Sequence, residues 1–292
     1  MTSPTNNQNS PPNGAGLPSQ KPCRIGAVSY LNTLPLVYGI GDSHCADADT
    51  ACTLTFDLPS RLADQLANGM LDVALIPSIE VFQNPDYTVV SDACIACRGP
   101  VWSVKLLSRV PLNAIRTLAL DEGSRTSVAL VRILLQREFG VTPELCPLPI
   151  DAFWQQSTAD AVLIIGDRAM NPDLGETFTL EVDLGQWWFE QTGLPFVFAM
   201  WTARPGMTKE RLGEIGQLLS TSRDAGIEQS IALANENAER YGLTTSQAVE
   251  YFQTYLHFTL GTDERKALQR FRHLAAELEL APNSLELQFH DC

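Results

Sequence analysis

The first two thirds of the chain alternate between short apolar runs and segments with helical spacing of apolar residues. Helices are predicted over 58–68 and 128–139, and each is followed by a glycine, Gly69 or Gly140. Apolar and β-branched runs predict strands at 25–28 and 52–56, and short runs at 73–76, 117–120 and 161–165 predict buried strands. Strands that alternate with helices in this way are typical of an α/β fold whose parallel strands are joined by crossover helices.

The last third of the chain carries mainly helical patterns. Apolar residues recur at helical spacing over 209–219, 223–240, 245–259 and 263–278. Together with the strand-rich part, this predicts two α/β lobes with a cleft between them. We assign residues 1–22 to a disordered tail, 23–108 plus 198–292 to lobe 1, and 109–197 to lobe 2.

The charge balance argues against two classes of partner. The chain of 292 residues has 20 lysines and arginines against 34 aspartates and glutamates, a net charge of −14. Nucleic acids and anionic membranes bind clustered positive charge, so neither is an expected partner. No segment has the ~18 consecutive apolar residues of a membrane span, and the polar tail has no apolar core like that of a signal peptide. We therefore expect a cytoplasmic protein, and the sequence leaves open whether it forms a homo-oligomer.

Cysteine and histidine positions do not indicate a metal or redox site. The seven cysteines are an odd number, and most lie in apolar surroundings. Cys94 and Cys97 have C-x-x-C spacing, but they lie in a strand-like run without a second pair, so we interpret them as structural thiols. The four histidines are scattered, and no nucleotide-binding motif occurs. Neither a metal nor a cofactor is therefore predicted.

Hydroxyl, phenol and amide side chains cluster where the predicted strands end. Ligands of open α/β folds bind at such ends, and helix N-termini bind anions. These strand-end residues are Ser29, Tyr30, Asn32, Ser78, Ser103, Ser124, Thr126, Ser127, Gly166 and Asp167. Each turn alone is explained about as well by ordinary turn formation or helix capping. As a set, the turns indicate a site for a small ligand rich in oxygen atoms.

Six short motifs occur in an order that is more specific than any one of them. They are SYLN at 29–32, GxLDVALIP at 69–77, GPVxSV at 99–104, SRTS at 124–127, IGD at 165–167 and GLPFVFAxW at 193–201. In this order they resemble the chorismate dehydratases of the futalosine route to menaquinone, from residue 24 to the C-terminal helices. The resemblance implies a two-lobed periplasmic-binding-protein-like (type II) fold with an interlobe cleft. It also implies a cofactor-free lyase that converts chorismate to 3-[(1-carboxyvinyl)oxy]benzoate and water.

The resemblance also suggests roles for the strand-end residues. Asn32 and Ser103 are expected to be catalytic, with Asn32 facing the ring carbon that loses water. The residues expected to bind the dicarboxylate substrate are Tyr30, Ser78, Thr126, Ser127, Gly166 and Asp167. Since neither catalytic candidate is a base at neutral pH, the proton is expected to go to the substrate's own enolpyruvyl carboxylate.

Three other functions compete with this interpretation. A two-lobed solute-binding protein for a small carboxylate would have the same lobes and turns, although such proteins are normally exported. A sister enzyme of the same pathway shares the fold but uses a cleft histidine, which these turns lack. The effector domain of a transcription regulator would need a helix-turn-helix segment, and the chain shows none. The insert at 41–50 has no expected role.

Overall fold

The computed structural model describes residues 21–41, 52–170, 177–283 and 286–290. The predicted tail lies outside these ranges except for its last two residues, and so does the insert except for Gly41. The strands are β1 (Cys23–Val28), β2 (Cys52–Asp57), β3 (Val73–Pro77), β4 (Thr88–Cys97), β5 (Val104–Ser108), β6 (Thr117–Asp121), β7 (Glu144–Leu148), β8 (Ala161–Ile165), β9 (Leu180–Asp183), β10 (Phe196–Ala203), β11 (His257–Thr259) and β12 (Gln288–Phe289).

Most of the α-helices cover the sheets or follow the last long strand. They are α1 (Pro59–Ala67), α2 (Ser78–Gln83), α3 (Arg125–Phe139), α4 (Leu184–Thr192), α5 (Lys209–Glu228), α6 (Ser230–Asn237), α7 (Thr245–Glu250) and α8 (Thr262–Glu277). Short 3₁₀ helices include Leu31–Val37 and Gly166–Ala169. Across the described ranges, no helix is both long enough and apolar enough to cross a membrane.

The strands form two sheets with equivalent strand orders, one in each lobe. The first sheet runs β2-β1-β3-β10-β4-β11, with β12 beside β4, and the second runs β7-β6-β8-β5-β9. In the first sheet β1 is parallel to both of its neighbours, and in the second sheet β6 is parallel to both of its neighbours. The strands that enter from the other lobe, β10 in the first sheet and β5 in the second, are antiparallel to the strands beside them. The two sheets therefore repeat one topology that the sequence does not reveal as an internal repeat.

The first crossing between the lobes lies earlier in the chain than predicted. Residues 104–108 were assigned to lobe 1, but β5 pairs with β8 and β9 of the second sheet. The chain therefore crosses between Cys97 and Val104, and it returns after α4, between Thr192 and Phe196. The prediction failed because β5 is buried at every position, so its apolar pattern fits either sheet.

Two local predictions also need correction. The segment predicted as a helix over 245–259 ends in strand β11, where His257 pairs with Ala96 and Thr259 pairs with Ala93. In addition, the predicted strand 52–56, helix 58–68 and strand 73–76 form a β-helix-β unit that predicts a parallel pair, but β2 and β3 are not adjacent, since β1 lies between them. In both cases pairing with a strand distant in sequence decided the outcome, and local spacing carries no information on such pairing.

A close contact joins α5 to the short helix that follows β1. Gly226 of α5 packs against the backbone of Pro35, so that a Cβ atom added to Gly226 would lie 2.0 Å from the Pro35 carbonyl oxygen. Because Pro35 belongs to the same 3₁₀ helix as Asn32, this contact helps to fix the position of Asn32. A side chain at residue 226 would push the two helices apart.

We expect Gly226→Ala to lower the free energy of unfolding by about 1–3 kcal/mol, the usual cost of overpacking. Gly213→Ala in the same helix is the matched control, because its added Cβ would meet its nearest atom, His290 Nε2, at 3.4 Å. The control should gain up to ~1 kcal/mol from the helix propensity of alanine. Urea unfolding of both variants measures the difference, and equal stability would contradict the close contact.

Candidate functional site

The ends of strands from both lobes meet at one cavity. Its volume is ≈ 50 Å³. The lining residues are Val28, Tyr30, Asn32, Pro59, Pro77, Ile95, Val101, Ser103, Ser124, Thr126, Ser127, Ile165, Gly166, Phe198 and Ala199. Of the residues expected to be catalytic or to bind substrate, only Ser78 and Asp167 are not among them. Ser29, the other strand-end residue outside the lining, is exposed. The walls are apolar apart from hydroxyl, phenol and amide groups.

Tyr30 extends from the turn after β1 across to the second lobe. Its ring packs on Gly166, where an added Cβ would lie 2.8 Å from the ring and where the backbone has φ of +68°. The phenol oxygen is buried and has no hydrogen-bond partner among the described residues. Burial raises the pKa of Tyr30 well above its usual range, so the group stays protonated. It is therefore a donor available to a ligand.

Asn32 lies in the first turn of the 3₁₀ helix and is buried. Its Oδ1 accepts a hydrogen bond from the hydroxyl of Thr33 at 3.2 Å. That bond leaves the amide nitrogen of Asn32 as the group with protons to donate. Asn32 therefore lines the cavity with an amide nitrogen that can donate hydrogen bonds.

Ser103 lies at the end of the first crossing between the lobes. The preceding residue, Trp102, has φ of +66°, a conformation that is strained for a bulky side chain. The Asp183 carboxylate holds this backbone by accepting hydrogen bonds from the amides of Val101 at 3.0 Å and Trp102 at 2.6 Å. Tyr251, which sequence analysis did not single out, donates a hydrogen bond to Ser103 Oγ at 2.8 Å.

The N-terminus of α3 provides further donors to the cavity. Ser124 is the residue before the helix, and no side chain caps its first amides. The amides of this first turn have no carbonyl within the helix to bind, and they favour an anion. Thr126 Oγ1 accepts a hydrogen bond from the Ile79 amide of the other lobe at 3.3 Å, which leaves the hydroxyl proton of Thr126 free to donate. Ser127 is also buried at the cavity wall.

The remaining two predicted residues direct their polar atoms to backbone groups. The hydroxyl of Ser78 donates to the Val197 carbonyl at 2.7 Å and so ties β10 to the start of α2. The Asp167 carboxylate accepts a hydrogen bond from the Leu31 amide at 3.1 Å. Burial raises the pKa of Asp167 to about 6. The Asp167 bond links the lobes beside the cavity.

Charged side chains near the cavity are paired with each other. Arg125 binds Asp64 at 2.8 Å and Glu80 at 3.2 Å, both on the opposite lobe. Arg168 pairs with the buried Asp121, which also holds the turn before α3 by accepting a hydrogen bond from the Gly123 amide. No charged side chain and no histidine is among the lining residues, and no cluster that could hold a metal occurs in the described ranges.

Comparison of the sequence with known proteins shows the family to which the chain belongs. A sequence profile described as menaquinone biosynthesis matches residues 23–277. The chain belongs to the menaquinone biosynthesis family. A chorismate dehydratase from Thermus thermophilus is 30% identical over 241 residues, 77% of this chain and 87% of that relative. Another from Campylobacter jejuni is 27% identical over 262 residues, 88% of this chain and 99% of that relative.

Comparison with solved structures shows the fold of this family member. The periplasmic aliphatic sulphonate binding protein of Escherichia coli superposes with a TM-score of 0.60 at 18% identity, over 91% of this chain and 90% of that one. The predicted two-lobed, periplasmic-binding-protein-like fold is therefore confirmed. The likeness at this identity concerns the fold alone.

The buried Asp167 predicts an unusual pH dependence of stability. Because its folded-state pKa is about 6 while an unfolded aspartate titrates near pH ~4, ionisation costs more in the folded state. The cost grows as pH rises from ~4 to ~6 and is complete above that range. We expect Asp167→Asn, which keeps an oxygen for the Leu31 amide, to stabilise the protein by about 1–3 kcal/mol at pH 8 and to be neutral at pH 4.

Asp160 provides a control of opposite sign. Its pKa is lowered, first by the hydrogen bond from the Arg116 amide, so Asp160→Asn should destabilise the protein at pH 8. Thermal unfolding of both variants at pH 4 and pH 8 measures the two effects. A uniform effect of Asp167→Asn at both pH values would contradict the raised pKa.

Proposed function

We propose that the chain is a hydro-lyase that dehydrates chorismate to 3-[(1-carboxyvinyl)oxy]benzoate in menaquinone biosynthesis. The observation that carries this proposal is the convergence of neutral hydrogen-bond donors from both lobes on one buried cavity. Asn32 and Ser103 lie on one part of its wall and the N-terminus of α3 on another. Family membership and the chorismate dehydratase relatives support the same activity.

The donors suit a dicarboxylate. The uncapped first turn of α3, with the hydroxyls of Thr126 and Ser127, can bind one carboxylate through amide and hydroxyl donors. The unpartnered phenol of Tyr30 can donate to the same or the second carboxylate. Because Thr126 and Ser127 are buried in the protein, each bond from them to a charged oxygen contributes more than it would in water.

The reaction requires orientation more than strong acid or base groups. Chorismate loses its ring hydroxyl and the proton of the carbon that carries the enolpyruvyl ether, and the ring becomes aromatic. We propose that Asn32 orients the ring or the leaving hydroxyl and that Ser103 donates a hydrogen bond beside it. The C–H proton then goes to the substrate's own enolpyruvyl carboxylate and the ring C–O bond breaks. The departing hydroxide takes that proton from the carboxyl group and leaves as water, which regenerates the carboxylate.

We propose that substrate enters by separation of the lobes. The cavity of ≈ 50 Å³ has room for a few water molecules but not for a substrate of ten carbons. Bonds between lobes hold this closed form, among them Leu31 to Asp167 and the ion pairs of Arg125. Closure around the bound substrate would exclude water and hold one reactive geometry.

The free thiols support a cytoplasmic location. Cys23, Cys52, Cys94, Cys97 and Cys146 are all unpaired in the part of the chain that the structure describes. Proteins of oxidising compartments commonly pair such residues as disulfides. We therefore propose that the enzyme acts in a reducing cytoplasm.

Incubation of the purified chain with chorismate tests the activity and the competing solute-binding function together. Loss of the diene absorbance with formation of the substituted benzoate is the expected result. Tight binding with unchanged chorismate would instead establish a binding protein and contradict the proposal. Product identity is checked by mass spectrometry, because chorismate also rearranges without an enzyme.

Substitution of the two catalytic candidates should reduce turnover far more than binding. We expect Asn32→Ala and Ser103→Ala each to lower kcat by about 100–1,000-fold, the usual effect of removing one donor to a developing charge. Steady-state kinetics with chorismate measures the loss, and circular dichroism checks folding. Turnover near that of the wild type in both variants would rule out these assignments.

Loss of the proposed carboxylate hydroxyls should weaken substrate binding. Thr126→Val combined with Ser127→Ala should raise KM by roughly tenfold or more, because hydrogen bonds to a charged group contribute about 1.5–3 kcal/mol each. Thr142→Val is the control, since its exposed hydroxyl binds only Gln136 among the described residues. Unchanged KM and kcat in the double variant would contradict the assignment of this turn to a carboxylate.

A further inference from the structure

Tyr251 is a buried phenol in contact with both proposed catalytic residues. It begins a π-helical turn, Tyr251–Tyr255, directly after α7. Its side chain is fully buried, and its hydroxyl donates to Ser103 Oγ at 2.8 Å. Single π-helical turns interrupt the regular helical ladder at an energetic cost and often occur at functional sites. Tyr251 is 148 residues from Ser103 in sequence, so local patterns could not connect them.

The hydrogen bonds around Tyr251 have a defined direction. The Asn32 side chain also forms a hydrogen bond with the Tyr251 phenol. Because the phenol donates its one proton to Ser103 Oγ, it can only accept from Asn32, whose amide nitrogen is therefore the donor. The phenol proton is in turn donated to Ser103. The chain of donors therefore runs from Asn32 through Tyr251 to Ser103.

This direction determines what the Ser103 hydroxyl can do. Because Ser103 Oγ accepts the proton of Tyr251, its own proton cannot point back to the phenol and must be donated elsewhere. Ser103 lines the cavity, so that proton is available to a ligand there. Burial raises the pKa of Tyr251 well above its usual range, which keeps the phenol protonated and the direction fixed.

The aromatic packing around Tyr251 holds the same region. The Trp102 indole meets the Tyr251 ring edge-on at 5.7 Å and stacks on the Tyr255 ring, also at 5.7 Å. Trp102 immediately precedes Ser103 and has the strained backbone described above. The phenol hydroxyl can therefore be removed while the ring that supports Trp102 stays in place.

We propose that Tyr251 is a positioning residue that fixes Asn32 and directs the Ser103 hydroxyl proton toward the leaving hydroxyl of the substrate. This inference rests on the proposed dehydratase function. In this arrangement Ser103 serves as a hydrogen-bond donor to the departing oxygen and not as a base. No proton is lost by Tyr251, whose hydroxyl only fixes the orientation of the two groups.

Tyr251→Phe tests the role of the hydroxyl. We expect kcat to fall by about 10–100-fold with KM changed less than about twofold, because substrate contacts remain while the transition-state donor loses its orientation. Tyr255→Phe is the matched control, since its ring also packs on Trp102 but its hydroxyl bonds to Glu250 outside the cavity. A kcat for Tyr251→Phe within twofold of the control would overturn the proposal.

A double variant separates positioning from a general loss of stability. Since part of the effect of Tyr251 passes through Ser103, Tyr251→Phe should lower kcat by a smaller factor in the Ser103→Ala background than in the wild type. Independent effects that multiply would overturn the proposal. Melting temperatures of all variants, measured alongside, identify any loss that comes from unfolding.

A ligand-free readout distinguishes failure of this inference from failure of the proposed function. High-resolution crystal structures of the wild type and Tyr251→Phe should show the Ser103 side chain in one rotamer in the first and in another or several in the second. An unchanged Ser103 rotamer overturns the positioning role, whatever the activity. An inactive wild type whose Ser103 still moves in Tyr251→Phe would contradict the dehydratase function and leave Tyr251 as the residue that holds Ser103.

Discussion

The hydrogen bonds from the Asp183 carboxylate to the first crossing segment are the constraint on which the site depends. Asp183 caps α4, the helix that precedes the return crossing, and it also accepts the amides of Val101 and Trp102. One carboxylate thus joins the first crossing to the N-terminus of the helix that leads to the second. The Asp183 carboxylate accepts three backbone amides, those of Val101, Trp102 and Gln186, and these bonds compensate for the cost of burying its charge. The bonds to Val101 and Trp102 also offset the strained backbone at Trp102. Ser103 follows Trp102, so its place in the cavity is set by this contact.

The exchange of strands between the lobes has a related consequence. β5 completes the second sheet although it follows the first, and β10 completes the first sheet although it follows the second. Each lobe therefore contains a strand joined directly to a crossing. The first crossing lines the cavity with Val101 and Ser103. Rotation about these short segments can separate the cleft walls without breaking either sheet. The contacts that must break are side-chain and single backbone bonds, such as those made by Asp167 and Thr126.

The sequence predicted those parts of the site that follow from strand ends. Thr126 and Gly166 could be placed together because the parallel strands β6 and β8 end at one edge of the second sheet, and Tyr30 and Asn32 lie at the end of β1 in the first. That these two edges face each other follows from the two-lobed fold. The second-sheet position of β5 could not be predicted, because five consecutive buried residues carry no periodicity that distinguishes one sheet from another. Tyr251 was missed for a different reason, since a tyrosine at helical spacing resembles a core residue until its partner is known. Ser78 and Asp167 also follow strands, but a strand-end position did not predict that they lie outside the cavity lining. Their polar atoms bond to backbone groups instead.

The balance of donors and acceptors constrains the chemistry that this cavity can support. Tyr30, the Ser103 hydroxyl and the first turn of α3 all offer protons, and raised pKa values keep the phenols of Tyr30 and Tyr251 neutral. The carboxylate of Asp167, the residue after the lining Gly166, accepts the Leu31 amide with its Oδ1. A wall of donors stabilises negative charge on a ligand but removes no proton from it. If a proton must leave, the acceptor is then most simply part of the ligand. A substrate with two carboxylates meets both requirements, since one can be held by the wall while the other accepts the proton. A ligand with a single carboxylate would have to give up one of these two interactions, and under the proposed function this asymmetry would favour dicarboxylates.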